Sequence, residues 1–401
     1  MSLRETLQHR GIDVEQGTSA TLFDGRAPSC VARPTSTEEV AETVRAAREH
    51  GAVVAVRGAG TKLTWGSPAG HHDLVLDLSA MNRVLEHQPG DLIVSAEAGC
   101  PLNVVQSTVA RAGQRLALDE MVPGTTVGGL IATNTSGPLR VLAGTVRDLL
   151  IGVTVVLADG TVAHAGGKVV KNVAGYDLGK LMVGSYGTLA IVTEATFRLH
   201  PVPQASEWVV GQHPIAELPH VLNDLSHSQD APSAVEIRCE SADSVVLAVL
   251  IEGTEGGVSA RTGRIRATVA GGTAPAPGGT GTYPWAVGEG IGLKITAQLS
   301  AVPSVVAAAA ELGWTIQGSA GAGVLYASPS GAAEPDDVEA AAARFREVAL
   351  GGSVIVLDAP KEMRGQVDVW GPIPAIDIMR RVKEQFDPEN HLAPGRFVGG
   401  I

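Results

Sequence analysis

The chain has 401 residues, of which 44% are hydrophobic and only 3% aromatic, and it carries a formal net charge of −12. This length allows roughly two domains of about 100–200 residues each. A strongly negative chain without a run of Lys or Arg repels phosphate backbones and anionic lipid head groups. The composition therefore excludes nucleic acid as a partner.

The three cysteines, Cys30, Cys100 and Cys239, are widely separated and follow no metal-binding spacing. We therefore predict neither a disulfide framework nor a zinc or iron–sulfur site. Residues 1–17 are polar, unlike a secretory signal, and no run approaches the ~18 apolar residues that span a bilayer. We expect a cytoplasmic protein with no direct membrane insertion, which reaches the inner membrane only through partners.

The first predicted elements are a helix and a buried strand. Ser36 and Glu39 have capping-box spacing ahead of an apolar stripe, and Gly51 ends the helix. Residues 52–56 then form a short buried strand. The following predictions are strands at 74–78 and 92–97, a helix from 101 to 113, a hairpin at 149–165 turned at Asp159-Gly160, and a strand at 189–199.

The segment His200-Pro201-Val202-Pro203 ends this first unit. Residues 204–370 alternate strands with Ala-rich helices, and the stretch 271–284, rich in Gly and Pro, is predicted as a flexible surface loop. A final amphipathic helix at 373–386 carries Ile376, Met379 and Phe386. The predicted division is an N-terminal segment (1–27), a first domain (28–203), a second α+β domain (204–370) and a C-terminal helix with its tail (371–401).

Three glycine-rich clusters lie in the first domain. Arg57-Gly58-Ala59-Gly60-Thr61-Lys62 directly follows the buried strand, where residues without a Cβ let backbone amides converge on an anion. Alone, such a turn is more often an ordinary connection. It matches neither the G-x-G-x-x-G dinucleotide fingerprint nor a P-loop. The other clusters occupy residues 123–137 and 166–191.

Together these clusters resemble the FAD-binding domain of PCMH-type, vanillyl-alcohol-oxidase-like flavoproteins, and within them the FAD-binding subunit of glycolate oxidase. The resemblance covers residues 28–203 and resumes at 370–396. It depends on the ordered set R-G-x-G-T, P-G-T-T-V-G-G, K-N-x-x-G-Y-D-L and G-S-x-G-T-L. It implies an α+β fold with an FAD domain of two α+β subdomains, an α+β cap domain, and a C-terminal helix that returns to the FAD domain.

The resemblance also implies which residues hold FAD. Some relatives attach the flavin covalently through a His or Cys in these loops, whereas here the first loop offers Trp65 and neither of the first two clusters contains Cys, so we expect non-covalent FAD. The implied cofactor-binding residues are Arg57, Gly58, Ala59, Gly60, Thr61, Lys62 and Trp65, then Pro123, Gly124, Thr125, Thr126, Gly128, Gly129, Ala132 and Asn134, and finally Gly187 and Ile191.

The implied function is oxidation of a small 2-hydroxy acid, glycolate or D-lactate, to the 2-oxo acid. In such a complex the partners are a catalytic FAD dehydrogenase subunit and an iron–sulfur subunit that receives the electrons. The G-x-G-N-x-H and H-G-x-G-x-x-K patterns of complete dehydrogenases are absent, and the tail reads Ala393-Pro394-Gly395-Arg396 without the usual Asn. No catalytic residue is assigned.

Three alternatives to a catalytic subunit stay open. The chain could be a flavin-loaded, non-catalytic relay or structural subunit, which the missing patterns favour. It could also be a stand-alone FAD-dependent 2-hydroxy acid dehydrogenase. A reductase of cell-wall precursor synthesis shares the fold but needs an NADPH-accepting site that is not recognisable here.

Several other polar residues have two interpretations. His71, His72 and Asp73 form a metal site or, more simply, a solvated strand entrance, because adjacent side chains on an extended chain point apart. Lys62 contacts the pyrophosphate or points to solvent. Two further groups have structural interpretations that we prefer to ligand contacts: an ion pair among Arg140, Arg147 and Asp148, and a loop held on the FAD domain by Lys171, Asn172, Tyr176 and Asp177.

Overall fold

The structure, a computed structural model, describes residues 1–168 and 177–401 and has the predicted α+β architecture. The first half contains sheets of four and five strands, and the second half contributes a single eight-stranded sheet. Separate hydrophobic clusters stabilise the three layers. The functional loops lie where the two halves of the chain meet.

The four-stranded sheet carries the first glycine-rich loop. Its elements are α1 (Leu3–His9), β1 (Val14–Gln16), β2 (Cys30–Ala32), α2 (Thr37–Glu49), β3 (Val54–Arg57) and β4 (Leu74–Asp77). The strand order is β1-β2-β4-β3, with β2 and β3 parallel to β4. As the capping spacing predicts, the Ser36 hydroxyl accepts a 3.2 Å hydrogen bond from the Glu39 amide at the start of α2.

The five-stranded sheet is antiparallel, with the order β5-β6-β10-β8-β9, and a short pair, β7 and β11, lies beside it. Its elements are β5 (Val84–Gln88), β6 (Ile93–Glu97), α3 (Leu102–Ala110), β7 (Gln114–Arg115), α4 (Val127–Thr133), α5 (Arg140–Ala143), α6 (Val146–Leu149), β8 (Leu150–Val156), β9 (Val162–Gly166), α7 (Gly179–Met182), β10 (Ile191–Arg198) and β11 (His200–Pro201). The predicted hairpin is confirmed as β8–β9, where Gly160 has a positive φ of 80°.

The eight-stranded sheet, called the cap sheet below, is antiparallel throughout, with the order β15-β12-β14-β13-β17-β18-β16-β19. Its elements are β12 (Ala205–Pro214), α8 (Leu218–His227), β13 (Ala234–Cys239), β14 (Ser244–Gly253), α9 (Glu255–Thr268), β15 (Gly272–Thr273), β16 (Gly292–Thr296), α10 (Val302–Leu312), β17 (Trp314–Ser319), β18 (Val324–Pro329), α11 (Pro335–Val348) and β19 (Val354–Asp358). Helices α8–α11 bury one face of this sheet, and the other face is turned towards the first half of the chain.

The C-terminal segment returns to the four-stranded sheet. It contains α12 (Lys361–Arg364) and α13 (Ile376–Phe386). The Val54 amide donates to the His391 carbonyl over 2.8 Å, and the Ala393 amide donates to the Val54 carbonyl over 2.9 Å. These contacts join the tail to the sheet that carries the first glycine-rich loop.

Two local expectations need correction. Met379 does not belong to a buried face of α13, because its side chain is 37% exposed, while Lys383 on the same helix is buried. The stretch 271–284 is not simply a surface loop: it includes β15 and the buried Tyr283, and residues 277–282 form one wall of a cavity. The Gln317 amide group holds this wall by donating to the carbonyls of Gly279 and Thr282 over 3.2 and 2.8 Å.

Candidate functional site

The first glycine-rich loop leaves β3 and contacts the second cluster directly. A Cβ built on Gly58 would lie 2.3 Å from the Thr126 hydroxyl oxygen, so only glycine allows this approach. Gly60 has a positive φ of 74°, which turns the loop back. The Arg57 guanidinium pairs with Asp77 on β4 over 2.9 Å. The loop therefore offers its backbone rather than the Arg57 side chain to a ligand.

Lys62 is buried, so the solvent-exposed alternative is wrong. Its ammonium donates a 2.9 Å hydrogen bond to the Thr125 hydroxyl and lies 5.6 Å from the centroid of the Trp65 ring. Burial lowers the pKa of Lys62 to about 7, although the Glu120 charge opposes this shift. Lys62 thus joins the first and second clusters instead of extending from the surface.

The second cluster forms a turn and the short helix α4. Thr126 caps this helix by accepting a 3.3 Å hydrogen bond from the Gly129 amide. The helix ends at Asn134, which has a left-handed φ of 48° and a buried Oδ1 with no hydrogen-bond partner in the described part of the chain. Such an unpaired buried oxygen is costly, so it marks a position where a ligand or water would bind.

The third cluster packs against the end of α4. The Tyr186 amide donates to the Ala132 carbonyl and the Gly184 amide to the Ile131 carbonyl, both over 2.9 Å. Gly187 has a positive φ of 75°, and no atom lies within 4 Å of a Cβ built on it. This glycine therefore borders open space, as expected beside a ligand.

These three clusters enclose one cleft of about 80 Å³. Eight of the predicted cofactor residues line it: Arg57, Gly58, Thr126, Gly128, Gly129, Ala132, Gly187 and Ile191. The other nine lie in the same segments but are not part of this lining: Ala59, Gly60, Thr61, Lys62, Trp65, Pro123, Gly124, Thr125 and Asn134. Among the described residues, the lining contains neither Cys nor His.

A glycine-lined cleft with an unpaired amide oxygen nearby has the backbone and hydrogen-bonding groups that an extended, polar cofactor needs. Residues 28–166 match the family described as the FAD binding domain. This segment is an FAD-binding domain.

The FAD domain is also similar to domains of hydroxy acid enzymes. The chain is 32% identical over 207 residues to glycolate oxidase subunit GlcE of Escherichia coli, covering 51% of this chain and 57% of that protein. It is 37% identical over 171 residues to a D-lactate dehydrogenase of Archaeoglobus fulgidus, covering 43% of this chain and 38% of that protein. The chain thus matches only about 40 to 60% of the length of these two relatives.

The fold of the whole chain is that of PCMH-type flavoproteins. Glucooligosaccharide oxidase of Acremonium strictum superposes with a TM-score of 0.75 at 17% identity, covering 100% of this chain and 98% of that chain. That oxidase carries a 6-S-cysteinyl, 8α-N1-histidyl FAD. The likeness confirms the predicted fold class.

The cap sheet turns a row of polar side chains towards the FAD domain. On β13, β16 and β18 the flanking apolar residues enter the helix-covered core, so Glu236, Lys294 and Tyr326 occupy the opposite face. Tyr326 pairs in register with both Lys294 and Gln317, and Glu236 pairs with Ser319. None of these residues was identified from the sequence as a site residue.

A second cavity lies between this sheet face and the FAD domain. Its cap wall includes Glu236, Ser319 and Tyr326, and its FAD-domain wall is formed by Met121, Ser136, Gly137, Pro138 and Arg140. Tyr326 also belongs to an aromatic cluster with Trp65 of the first loop and Tyr186, which lines the FAD cleft. The cavity is therefore adjacent to the glycine-lined cleft.

Arg140 faces this cavity, so the predicted ion pair with Asp148 is wrong. Asp148 instead accepts hydrogen bonds from the Thr145 amide and hydroxyl over 2.7 and 2.9 Å. One end of the Arg140 guanidinium donates to Ser136, and its Nη1 is buried without a partner in the described structure. Asp177 pairs with Lys180 over 3.4 Å, whereas Lys171, Asn172 and Tyr176 lie outside the described residues.

A buried ionic cluster fixes the first loop from behind. Asp24 accepts hydrogen bonds from Arg364 of α12 and from Arg396 of the tail, and both arginines are almost fully buried. The Arg396 guanidinium also donates to the carbonyls of Leu63 and Trp65 over 2.8 and 2.7 Å. The basic residue of the tail therefore holds the loop that follows Lys62.

The His71-His72-Asp73 segment has unequal histidines. His71 is exposed and lies 2.8 Å from Asp73, whereas His72 is buried against the edge of Phe23. Within residues 1–168 and 177–401, no group of His, Cys, Asp and Glu has metal-binding geometry. In the same ranges no helix combines the length and hydropathy that a membrane span requires.

Proposed function

We propose that this chain holds FAD in the cleft and uses it to oxidise a small 2-hydroxy acid such as glycolate or D-lactate. The observation that carries the proposal is the convergence of Arg140, Glu236 and Ser319 on the cavity beside the cleft, where they offer buried polar groups to a substrate. The similarity to GlcE and to a D-lactate dehydrogenase supports the substrate class. Bound FAD would accept the two electrons from the substrate.

The three clusters would hold the cofactor through their backbone and small side chains. Residues 57–62 would surround the pyrophosphate, and the turn at 123–126 with α4 and Asn134 would border the flavin and ribityl chain. Gly187 and Ile191 would lie along the cofactor. FAD would be dissociable, since the lining of the cleft in the described structure offers no Cys or His for a covalent bond.

The similarity to GlcE supports a place in a glycolate oxidase-like complex. The proposed partners are a catalytic FAD dehydrogenase subunit and an iron–sulfur subunit that receives the electrons. Such an assembly would be cytoplasmic or peripheral at the inner membrane.

The second candidate is a flavin-loaded relay subunit without its own substrate chemistry. The missing G-x-G-N-x-H and H-G-x-G-x-x-K patterns and the Ala at position 393 favour it. The unpaired Arg140 and Glu236 beside the FAD site favour catalysis, because buried polar groups are normally paired. We therefore place oxidation by this chain first.

Anaerobic mixing of the flavin-loaded chain with glycolate or D-lactate tests the proposal. The expected result is loss of the oxidised flavin absorbance within a catalytic timescale, because the substrate carbon gives two electrons to the flavin. Acetate, which lacks the hydroxyl group, serves as the control and should leave the spectrum unchanged. A spectrum that changes only after a companion dehydrogenase subunit is added would support the relay instead.

A further inference from the structure

Three buried polar atoms that have no partner within the described residues belong to side chains lining the cavity between the FAD domain and the cap sheet. They are Nη1 of Arg140, Oε1 of Glu236 and Oγ of Ser319. Glu236 and Ser319 are 7% and 4% exposed and lie opposite each other on β13 and β17. Leaving such groups unpaired is costly, so their convergence on one cavity indicates a binding site for a polar ligand.

The cavity combines a cation with a carboxyl group that favours its neutral form. Burial raises the pKa of Glu236 to about 8, although Ser319 and Arg140 oppose the shift, and the nearby Asp119 charge raises it further. Glu236 is therefore mainly neutral at pH 7, and Nη1 of Arg140 keeps no partner among the described residues. A site of this kind selects an anion.

The other titratable groups around the cavity do not cancel this charge. Burial favours the neutral phenols of Tyr283 and Tyr326 by raising their pKa values. The Arg238 guanidinium pairs with Glu240 and donates a hydrogen bond to the Gly278 carbonyl. Lys294, which pairs with Tyr326 across the sheet, is positively charged below its pKa. Burial and the Arg140 charge lower this pKa to about 8.

We propose that Arg140, Glu236 and Ser319 form the carboxylate site of this chain, with Arg140 as the cation and the other two as hydrogen-bonding partners. The inference rests on the proposed function and gives the acid a site that the absent dehydrogenase patterns do not supply. The free space of about 20 Å³ is room for about one water. Even a two-carbon acid thus requires the glycine-rich 277–282 wall to open, and larger acids are disfavoured.

The site should bind anions best below pH 8. When Glu236 ionises, its carboxylate compensates Arg140 and repels the ligand, so the affinity falls as the pH rises through about 8. For a single coupled proton, the dissociation constant rises about tenfold per pH unit above that pKa. Lys294 loses its charge in the same pH range. Mutations must therefore distinguish its effect on oxalate affinity from that of Glu236.

Calorimetric titration of the flavin-loaded chain with oxalate, a two-carbon dicarboxylate without an oxidisable hydroxyl, tests the site directly. Arg140→Met should weaken oxalate binding about tenfold to a hundredfold, the effect of losing a charged hydrogen bond. Arg140→Lys keeps the charge but loses the forked donors, so its affinity for oxalate should lie between those of the wild type and Arg140→Met. Arg147→Met, on the same segment but exposed, should bind oxalate as the wild type does.

The pH dependence is tested with two further variants. Glu236→Gln should bind oxalate with little change from pH 7 to 9, whereas Lys294→Arg, which stays charged, should retain the wild-type loss of affinity. If the pH dependence disappears in Lys294→Arg and persists in Glu236→Gln, Glu236 does not control the site. Wild-type affinity in Arg140→Met, or no binding of oxalate to the wild type, would overturn the proposal.

These outcomes are separable from a failure of the proposed function. If glycolate or D-lactate reduces the flavin of Arg140→Met as fast as that of the wild type, the chain oxidises the acid through another site. If oxalate binds as described but no hydroxy acid changes the flavin spectrum, the carboxylate site is supported and the proposed catalytic role is contradicted.

Discussion

Gly58 is the residue at which the first two clusters approach most closely. A methyl group there would lie 2.3 Å from the Thr126 hydroxyl oxygen and 3.2 Å from its Cβ. Thr126 cannot simply rotate away, because its hydroxyl caps α4 and such a cap contributes about 1 kcal/mol. A side chain at position 58 therefore separates two loops that both border the FAD cleft.

Gly58→Ala should weaken FAD binding at least tenfold while the chain remains folded. Overpacking a tight contact typically costs about 1–3 kcal/mol, and here the displaced atoms line the cofactor cleft. Fluorescence titration of the apoprotein with FAD measures the effect. Gly90→Ala is the matched control, since no atom lies within 4 Å of its new methyl group. Equal FAD affinities in both variants would contradict the proposed position of the cofactor.

At the scale of elements, the cluster of Asp24, Arg364 and Arg396 joins the N-terminal segment, α12 and the tail behind the first loop. Burial alone would raise the pKa of Asp24, but hydrogen bonds from Arg364 and the Ala69 amide, together with both arginine charges, lower it. A carboxyl group with a lowered pKa stabilises the fold above its unfolded pKa of about 3.9. That contribution is lost as the pH falls through the folded value.

Asp24→Asn should therefore lower the free energy of unfolding by about 3–5 kcal/mol at neutral pH, because two buried arginines lose their carboxylate. Urea unfolding at pH 7 measures this loss. Repeating it at successively lower pH should narrow the difference once the pH falls below the unfolded pKa of about 3.9, and the two proteins should converge below the lowered folded pKa, where the wild-type carboxyl becomes protonated. Asp91→Asn, at an exposed position, should change stability by less than about 0.5 kcal/mol.

Local sequence patterns predicted most elements but not their partners. The capped helix α2, the β8–β9 hairpin and the strand β10 follow from short-range capping, turn and periodicity signals. The buried cluster of Asp24 with Arg364 and Arg396 has no such signal, because Asp24 is more than 300 residues from both arginines along the chain. The segment 271–284 was misjudged because its composition concealed the buried Tyr283.

For the whole molecule, the two halves supply different parts of the site. Glycine clusters in the first half were visible in the sequence because cofactor-binding loops need particular residues in a particular order. Each polar residue of the cap wall stands alone in its strand, so no motif marks it. The only signal in the sequence is a polar residue between two apolar ones, as in Leu293-Lys294-Ile295. Even that pattern does not show that Lys294 and Glu236 face the FAD domain.

The proposed position of the cofactor between three clusters predicts that FAD stabilises the chain without a covalent bond. Acid precipitation should release all of the flavin into the supernatant, since neither Cys nor His lines the described cleft. Adding FAD to the apoprotein at a hundredfold excess over the dissociation constant should stabilise the fold by about 2.7 kcal/mol, measured as a rise in the thermal midpoint. Riboflavin, which lacks the pyrophosphate, is the control and should give a much smaller rise. Flavin fluorescence that stays with the denatured chain would instead show a covalent link.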